Sequence, residues 1–152
     1  MGPFFGSCWG HQLLGKLAGG RVVTDRERAE VGTFEITVTD EGKRDPLLTG
    51  YPEAFAVQLG HNDHVEEPPA DLRVLASPGR GRCQIIRWGE RPAYGSQFHS
   101  EMGQQEMRDR ARVYQDRYLG ASEEAFEAFA SQLRPSPAAD GLLDRFLSLY
   151  AD

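Results

Sequence analysis

The sequence predicts an α/β fold, and three observations carry that expectation. The stretch Gly6-Ser-Cys-Trp-Gly-His-Gln12 lies between an apolar pair, Phe4-Phe5, and the helix-like Leu13-Leu14-Gly-Lys-Leu17, so it reads as strand, sharp turn and helix. The middle of the chain holds several short segments that alternate apolar and polar residues or run apolar throughout. Beyond Glu101 the apolar residues recur at helical spacing instead.

Taken in order, Leu13, Leu14, Leu17 and Ala18 share one face of the first helix, and Gly19-Gly20 supplies its stop. Arg21 to Val23 reads as a short strand. Phe34, Ile36 and Val38 alternate with Glu35, Thr37 and Thr39, the period of a half-buried strand ended by Asp40-Glu-Gly42. Asp45-Pro46 reads as an N-cap with proline opening one short helical turn. Phe55 to Leu59, Leu72 to Ala76, Cys83 to Trp88 and Ala93 to Phe98 are further strands, with a turn over Ser77–Gly81. Met107, Ala111, Tyr114 and Tyr118 follow helical spacing, a second helix starts near Ser122, and a third runs from Leu142 to Tyr150 after the Pro135-Ser-Pro137 break.

A chain of 152 residues suits one domain over residues 1–152 with a substantial core, and 39% hydrophobic with 26% charged residues is ordinary for a globular protein. No apolar run approaches a membrane span and no secretory leader opens the chain, which predicts a soluble cytoplasmic protein. The net charge of -6 argues against a nucleic-acid surface, which needs clustered Lys and Arg; Arg80 and Arg82 read as part of a solvated loop. Two cysteines make no disulfide framework, so Cys8 and Cys83 are expected to be reduced.

A lone cysteine is commonly a small buried hydrophobe. Cys8 differs because Gly6 and Gly10 bracket it: a side chain at either position would collide where strand and helix cross closely. At a helix N-terminus the dipole and free N–H groups favour the thiolate, the reactive form. Such a nucleophile needs a base, and the base needs an orienting group. His99 and Glu101, at i and i+2 near a strand end, meet that need, although a bare His-x-Glu is by itself no more than a surface pair. His61, Asp63 and His64 are too few for a zinc site, which takes three or four spaced ligands. His11 reads as support for the elbow.

Gly6-Ser-Cys-Trp-Gly-His-Gln12 resembles the nucleophile motif of the class I, triad-type glutamine amidotransferases, and Gly95-Ser-Gln-Phe-His-Ser-Glu101 resembles their second motif, with Ser100 where the family usually has proline. The resemblance is strong as far as about Glu101 and fades over the C-terminal helices. It implies a three-layer, doubly wound, mostly parallel sheet with flanking helices, flavodoxin-like, in a stand-alone GMP-synthase-like glutaminase domain. It also implies that the family's N-terminal region, which carries the first strands and a glycine loop with a second oxyanion N–H, is missing; losing such a donor costs roughly 10²- to 10³-fold in rate.

The resemblance further assigns Cys8, His99 and Glu101 to catalysis, and Trp9, Gln12, Gly60 and His61 to substrate binding, with neither metal nor cofactor. The implied substrate is L-glutamine or a γ-glutamyl compound, hydrolysed through a cysteine thioester, with an ammonia-accepting synthetase as partner. A free-standing γ-glutamyl hydrolase or peptidase, and a non-catalytic binding or regulatory module, are the alternatives.

Overall fold

The computed structural model describes residues 2–78, 83–120 and 122–151. From Gly79 onward, the expected turn and the basic residues Arg80 and Arg82 lie outside the described residues.

The chain opens with strand β1 (Phe4–Ser7), which passes through Cys8 into helix α1 (Trp9–Leu17). Gly19, at φ 97°, ends that helix in the left-handed region open to glycine. Strand β2 (Arg21–Thr24) leads to a short 3₁₀ turn capped by the Asp25 carboxylate, then to strand β3 (Glu30–Val38). Asp40-Glu-Gly42, expected as a turn, instead belongs to helix α2 (Asp40–Arg44), because the Thr39 hydroxyl accepts from Gly42 N at 3.0 Å and caps the helix. Gly42 also packs against Leu75 O so closely that a Cβ would sit 2.0 Å away. The short helical turn expected after Asp45 forms over residues 46–50, with the Asp45 carboxylate accepting from Leu47 N and its carbonyl from Thr49 N, each at 3.0 Å.

Strands β4 (Ala54–His61), β5 (Asp63–Glu66), β6 (Leu72–Pro78), β7 (Ile85–Trp88) and β8 (Ala93–Ser96) follow. The C-terminal part carries α3 (Gln104–Val113), α4 (Gln115–Tyr118), α5 (Glu123–Ala130), α6 (Pro137–Asp140) and α7 (Leu142–Tyr150). The periodicity through Tyr118 breaks at Tyr114, because the buried seam of α3 ends at Ala111 while Val113 is left exposed. Ser122 caps α5 where the sequence places a helix start.

Six strands form one sheet in the order β1-β8-β7-β6-β3-β4, and β2 pairs with β5 in a separate antiparallel ribbon. The α/β class holds, but the predominance of parallel pairing does not: β1 and β8 are parallel, and the other ladders of the six-stranded sheet are antiparallel. Parallel neighbours need a crossover of about a dozen residues or more. The linkers 79–84 and 89–92 are too short for one, so β6, β7 and β8 meander.

Strands β1, β6, β7 and β8 divide their apolar side chains between two cores. Ile85 and Tyr94 face one core with Leu75, Ala76, Leu142 and Phe146, under α6 and α7; Ile86 and Ala93 face the other with Leu14, Val65 and Leu72, under α1. A bulge between Val74 and Ala76 shifts this alternation by one residue midway along β6, so that Leu72 and Val74 face one core and the consecutive Leu75 and Ala76 both face the other. The two helical coverings and the sheet between them make three layers. Among the described residues no helix is long and apolar enough to cross a membrane.

Candidate active site

The parallel β1·β8 ladder positions the site. Its register pairs Ser7 with Ser96, so the residues that follow each strand emerge together at one end of the sheet. After β1 comes Cys8, at φ 50° and ψ -100°, a left-handed φ that costs a non-glycine residue strain of about 1–3 kcal/mol. The surroundings enforce it: Cys8 N donates to Ser96 O at 2.7 Å, and Gln12 N donates to Cys8 O at 3.1 Å. A Cβ on Gly6 would lie 2.5 Å from Gly10 C, whereas one on Gly10 would meet nothing. Of the two bracketing glycines, only Gly6 is therefore required by the crossing. Trp9 is the first residue of α1, where a backbone N–H has no partner within the helix.

Beyond β8, His99 N donates to Gln58 O at 3.1 Å, and Nδ1 of its ring lies 2.5 Å from Glu101 Oε1. The strand ends at Ser96, so the pair is formed by a turn, closed by Met102 N donating to His99 O at 3.2 Å, rather than by a shared strand face. Burial alone would lower the imidazole's pKa; the Cys8 sulfur and the Glu101 carboxylate outweigh it and raise it to about 9. Nε2 is buried and, among the described residues, meets no partner at ordinary hydrogen-bond geometry, while the Cys8 sulfur lies close enough to raise the ring's pKa. Burial pushes the Glu101 carboxyl up, but His99 and the Ser7 hydroxyl pull it below its ordinary value. At neutral pH the pair is imidazolium and carboxylate.

Gln12 is buried on α1, and its Nε2 donates to Asp63 O at 2.8 Å and to Gln97 Oε1 at 3.4 Å. Beside it a cleft of about 380 Å³ is lined by Trp9, Gln12, Leu13, Lys16 and Asp63, with Val22 and Thr24 of β2. Cys8, Trp9, Gln12, His99 and Glu101 thus gather at one end of the sheet. Gly60 and His61 sit differently. Gly60 lies within β4, paired with Val31, and a Cβ there would point toward Met107. His61 is buried with both ring nitrogens engaged, Nδ1 to Asp63 O at 2.8 Å and Nε2 to Glu30 Oε1 at 3.1 Å. The His61 ring thus has no nitrogen left for a ligand, and a contact from Gly60 or His61 would be made through the main chain.

His64 is buried in β5 near Arg28, with its pKa lowered by burial and by that guanidinium. Cys8 and Cys83 are not joined in a disulfide, and Cys83 is buried. Among the described residues no three His, Cys, Asp or Glu side chains converge as a metal site. Sequence reasoning missed Glu30, Gln84 and Gln97. Gln84 Nε2 donates to Glu30 Oε1 at 3.1 Å, and Gln97 Nε2 donates to Cys8 Sγ at 3.7 Å. Only Gln97 lies inside a motif, and an amide has no titratable signature to draw attention.

A mixed sheet between two helical layers, with a cysteine on a strained strand-to-helix elbow beside a His–carboxylate pair, defines an α/β protein of the nucleophile-elbow class. A sequence model of the family described as glutamine amidotransferase class-I matches residues 1–114, and the chain belongs to that family. It is 39% identical over 100 residues to one subunit of the glutamine-hydrolyzing GMP synthase of Saccharolobus solfataricus, covering 66% of this chain and 51% of the relative. The corresponding subunit of Pyrococcus abyssi is 36% identical over 104 residues, covering 68% of this chain and 53% of the relative. The chain spans about half the length of these relatives. A glutamine amidotransferase of Thermotoga maritima shares the fold, with a TM-score of 0.78 at 23% identity over 97% of this chain and 62% of the other.

Proposed function

We propose that this chain is a glutaminase domain that releases ammonia from the side-chain amide of glutamine through a glutamyl thioester on Cys8. The observation that carries the reading is the convergence of the strained Cys8 elbow and the His99–Glu101 pair at the end of one parallel ladder. The Cys8 thiolate attacks the amide carbon, and the Trp9 N–H accompanies the oxyanion of the tetrahedral intermediate. His99, protonated below about pH 9, gives its Nε2 proton to the departing nitrogen, which leaves as ammonia. Neutral His99 then takes a proton from water, whose oxygen attacks the thioester. Glutamate departs, the thiolate is regenerated, and the imidazolium is restored. Throughout, Glu101 holds Nδ1 and offsets the ring's charge.

Gln12 and the cleft beside it are the binding side of this reading, with Trp9, Lys16 and Asp63 around the substrate's distal end. The relatives' designation as one subunit of a synthase supports an ammonia-accepting synthetase subunit as partner. Ammonia release from glutamine, measured with Cys8→Ala as control and with acid-quenched intact mass to catch a glutamyl adduct, tests the proposal. Release and adduct that both vanish in Cys8→Ala are expected. Release that persists in Cys8→Ala, or none from folded unaltered protein, refutes it.

A further inference from the structure

Every hydrogen bond has a direction, and a chain of them transmits direction from a group that has no choice. The backbone carbonyl of Asp63 is such a group, since it only accepts. Gln12 therefore turns its NH₂ toward it, at 2.8 Å, with the same nitrogen facing Gln97 at 3.4 Å. Both protons of that NH₂ are used, so the atom of Gln97 that meets Gln12 is its oxygen. The NH₂ of Gln97 is then left facing the Cys8 sulfur, at 3.7 Å. The Asp63 carbonyl is itself held by Nδ1 of His61, whose other nitrogen is fixed by Glu30, which also accepts from Gln84. Glu30, Gln84, Gln97 and His61 are all buried.

We propose that Gln97 is the residue that holds the Cys8 sulfur, donating an N–H whose direction is imposed by the buried relay through Gln12 from the Asp63 carbonyl. The proposal deepens the glutaminase reading and rests on it for its catalytic meaning. A donor fixed at this distance orients the sulfur and keeps a lone pair aimed at the substrate. His99 cannot do both tasks, because its Nε2 must be free to deliver a proton to the leaving nitrogen. Two groups thus serve the sulfur: one imidazolium that exchanges protons and one amide that does not.

The test is iodoacetamide alkylation of the full chain at neutral pH, read site by site by mass spectrometry, because it needs no glutamine. Gln97→Met keeps length and packing but removes the donor. Gln97→Glu replaces the donor with a carboxylate facing the sulfur. Cys8 alkylation is expected to slow roughly five- to tenfold in Gln97→Met and at least as much in Gln97→Glu, with buried Cys83 unreactive in each. In Gln97→Met, kcat for glutamine is expected to fall by a similar factor with KM little changed. Alkylation within about twofold of the unaltered protein in both folded variants overturns the proposal. Reactive Cys83 would mark a variant as unfolded. The decision then passes to the Gln97 side-chain amide signal by NMR: a shift on Cys8→Ala supports the tether, and an unmoved signal overturns it. Normal alkylation effects without ammonia release would sink the glutaminase reading and leave the sulfur tether standing.

Discussion

His11 makes this fold sensitive to acid by an amount that follows from its surroundings. It sits on α1 with no exposed surface, pressed against Gly95, where a Cβ would lie 2.9 Å from His11 Cα. Among the described residues neither ring nitrogen finds a partner at ordinary hydrogen-bond geometry, although backbone groups of Gly95 and Cys83 lie near enough to soften the effect. Burial, with a smaller contribution from His61, lowers its pKa from 6.5 to about 4. The sign follows from proton counts. Between those values the unfolded chain binds a proton that the folded chain refuses, so the contribution is complete above pH 6.5 and is lost as pH falls toward 4. A difference of about 2.5 pH units at about 1.36 kcal/mol each comes to about 3 kcal/mol. Urea unfolding of the unaltered protein and of His11→Leu, each at about pH 7 and about pH 4, isolates this quantity, since all other titrating groups are common to both. The unaltered protein is expected to lose about 3 kcal/mol more than the variant over that interval. Two stability curves that fall in parallel would refute the reasoning.

Gly6→Ala drives a methyl group to 2.5 Å from the Gly10 backbone and is expected to cost about 1–3 kcal/mol in urea unfolding while slowing Cys8 alkylation, whereas Gly10→Ala does neither. Arg87→Met removes the guanidinium that donates to buried Asp45 at 2.9 Å and leaves that carboxylate with the Tyr94 hydroxyl and Leu47 N as its donors. A stability loss of about 3–5 kcal/mol is expected, and a loss below about 1 kcal/mol would show that the pair does not hold the core together.

The parts legible in the sequence are those whose cause is local. The elbow can be read because Gly6 must clear the backbone of Gly10 only four positions on, and β3 can be read because alternation is a property of adjacent residues. Strand direction is not legible in the same way. Whether β8 runs parallel to β1 depends on everything folded between them, and only the shortness of the linkers 79–84 and 89–92 hints at the meander. The polar core is still harder to foresee. Glu30, His61 and Gln84 come from three different strands or their flanks, and Arg87 reaches Asp45 across 42 positions, so no window of sequence contains either group. His64 escapes a local reading for the same reason, because its burial comes from pairing with β2 rather than from its polar neighbours in the chain.

Cys8 follows β1 and His99 follows β8, and those two strands are hydrogen-bonded to each other in a ladder that runs from Phe4 opposite Ala93 to Ser7 opposite Ser96. The sulfur and the imidazole are therefore two marks on one ruler. A slip of β1 along β8 changes their spacing, and so does a shift of the turn that carries His99, whose N–H is tied to Gln58 of β4. The separation of the two groups is thus set by the four residues of one strand and by that single turn.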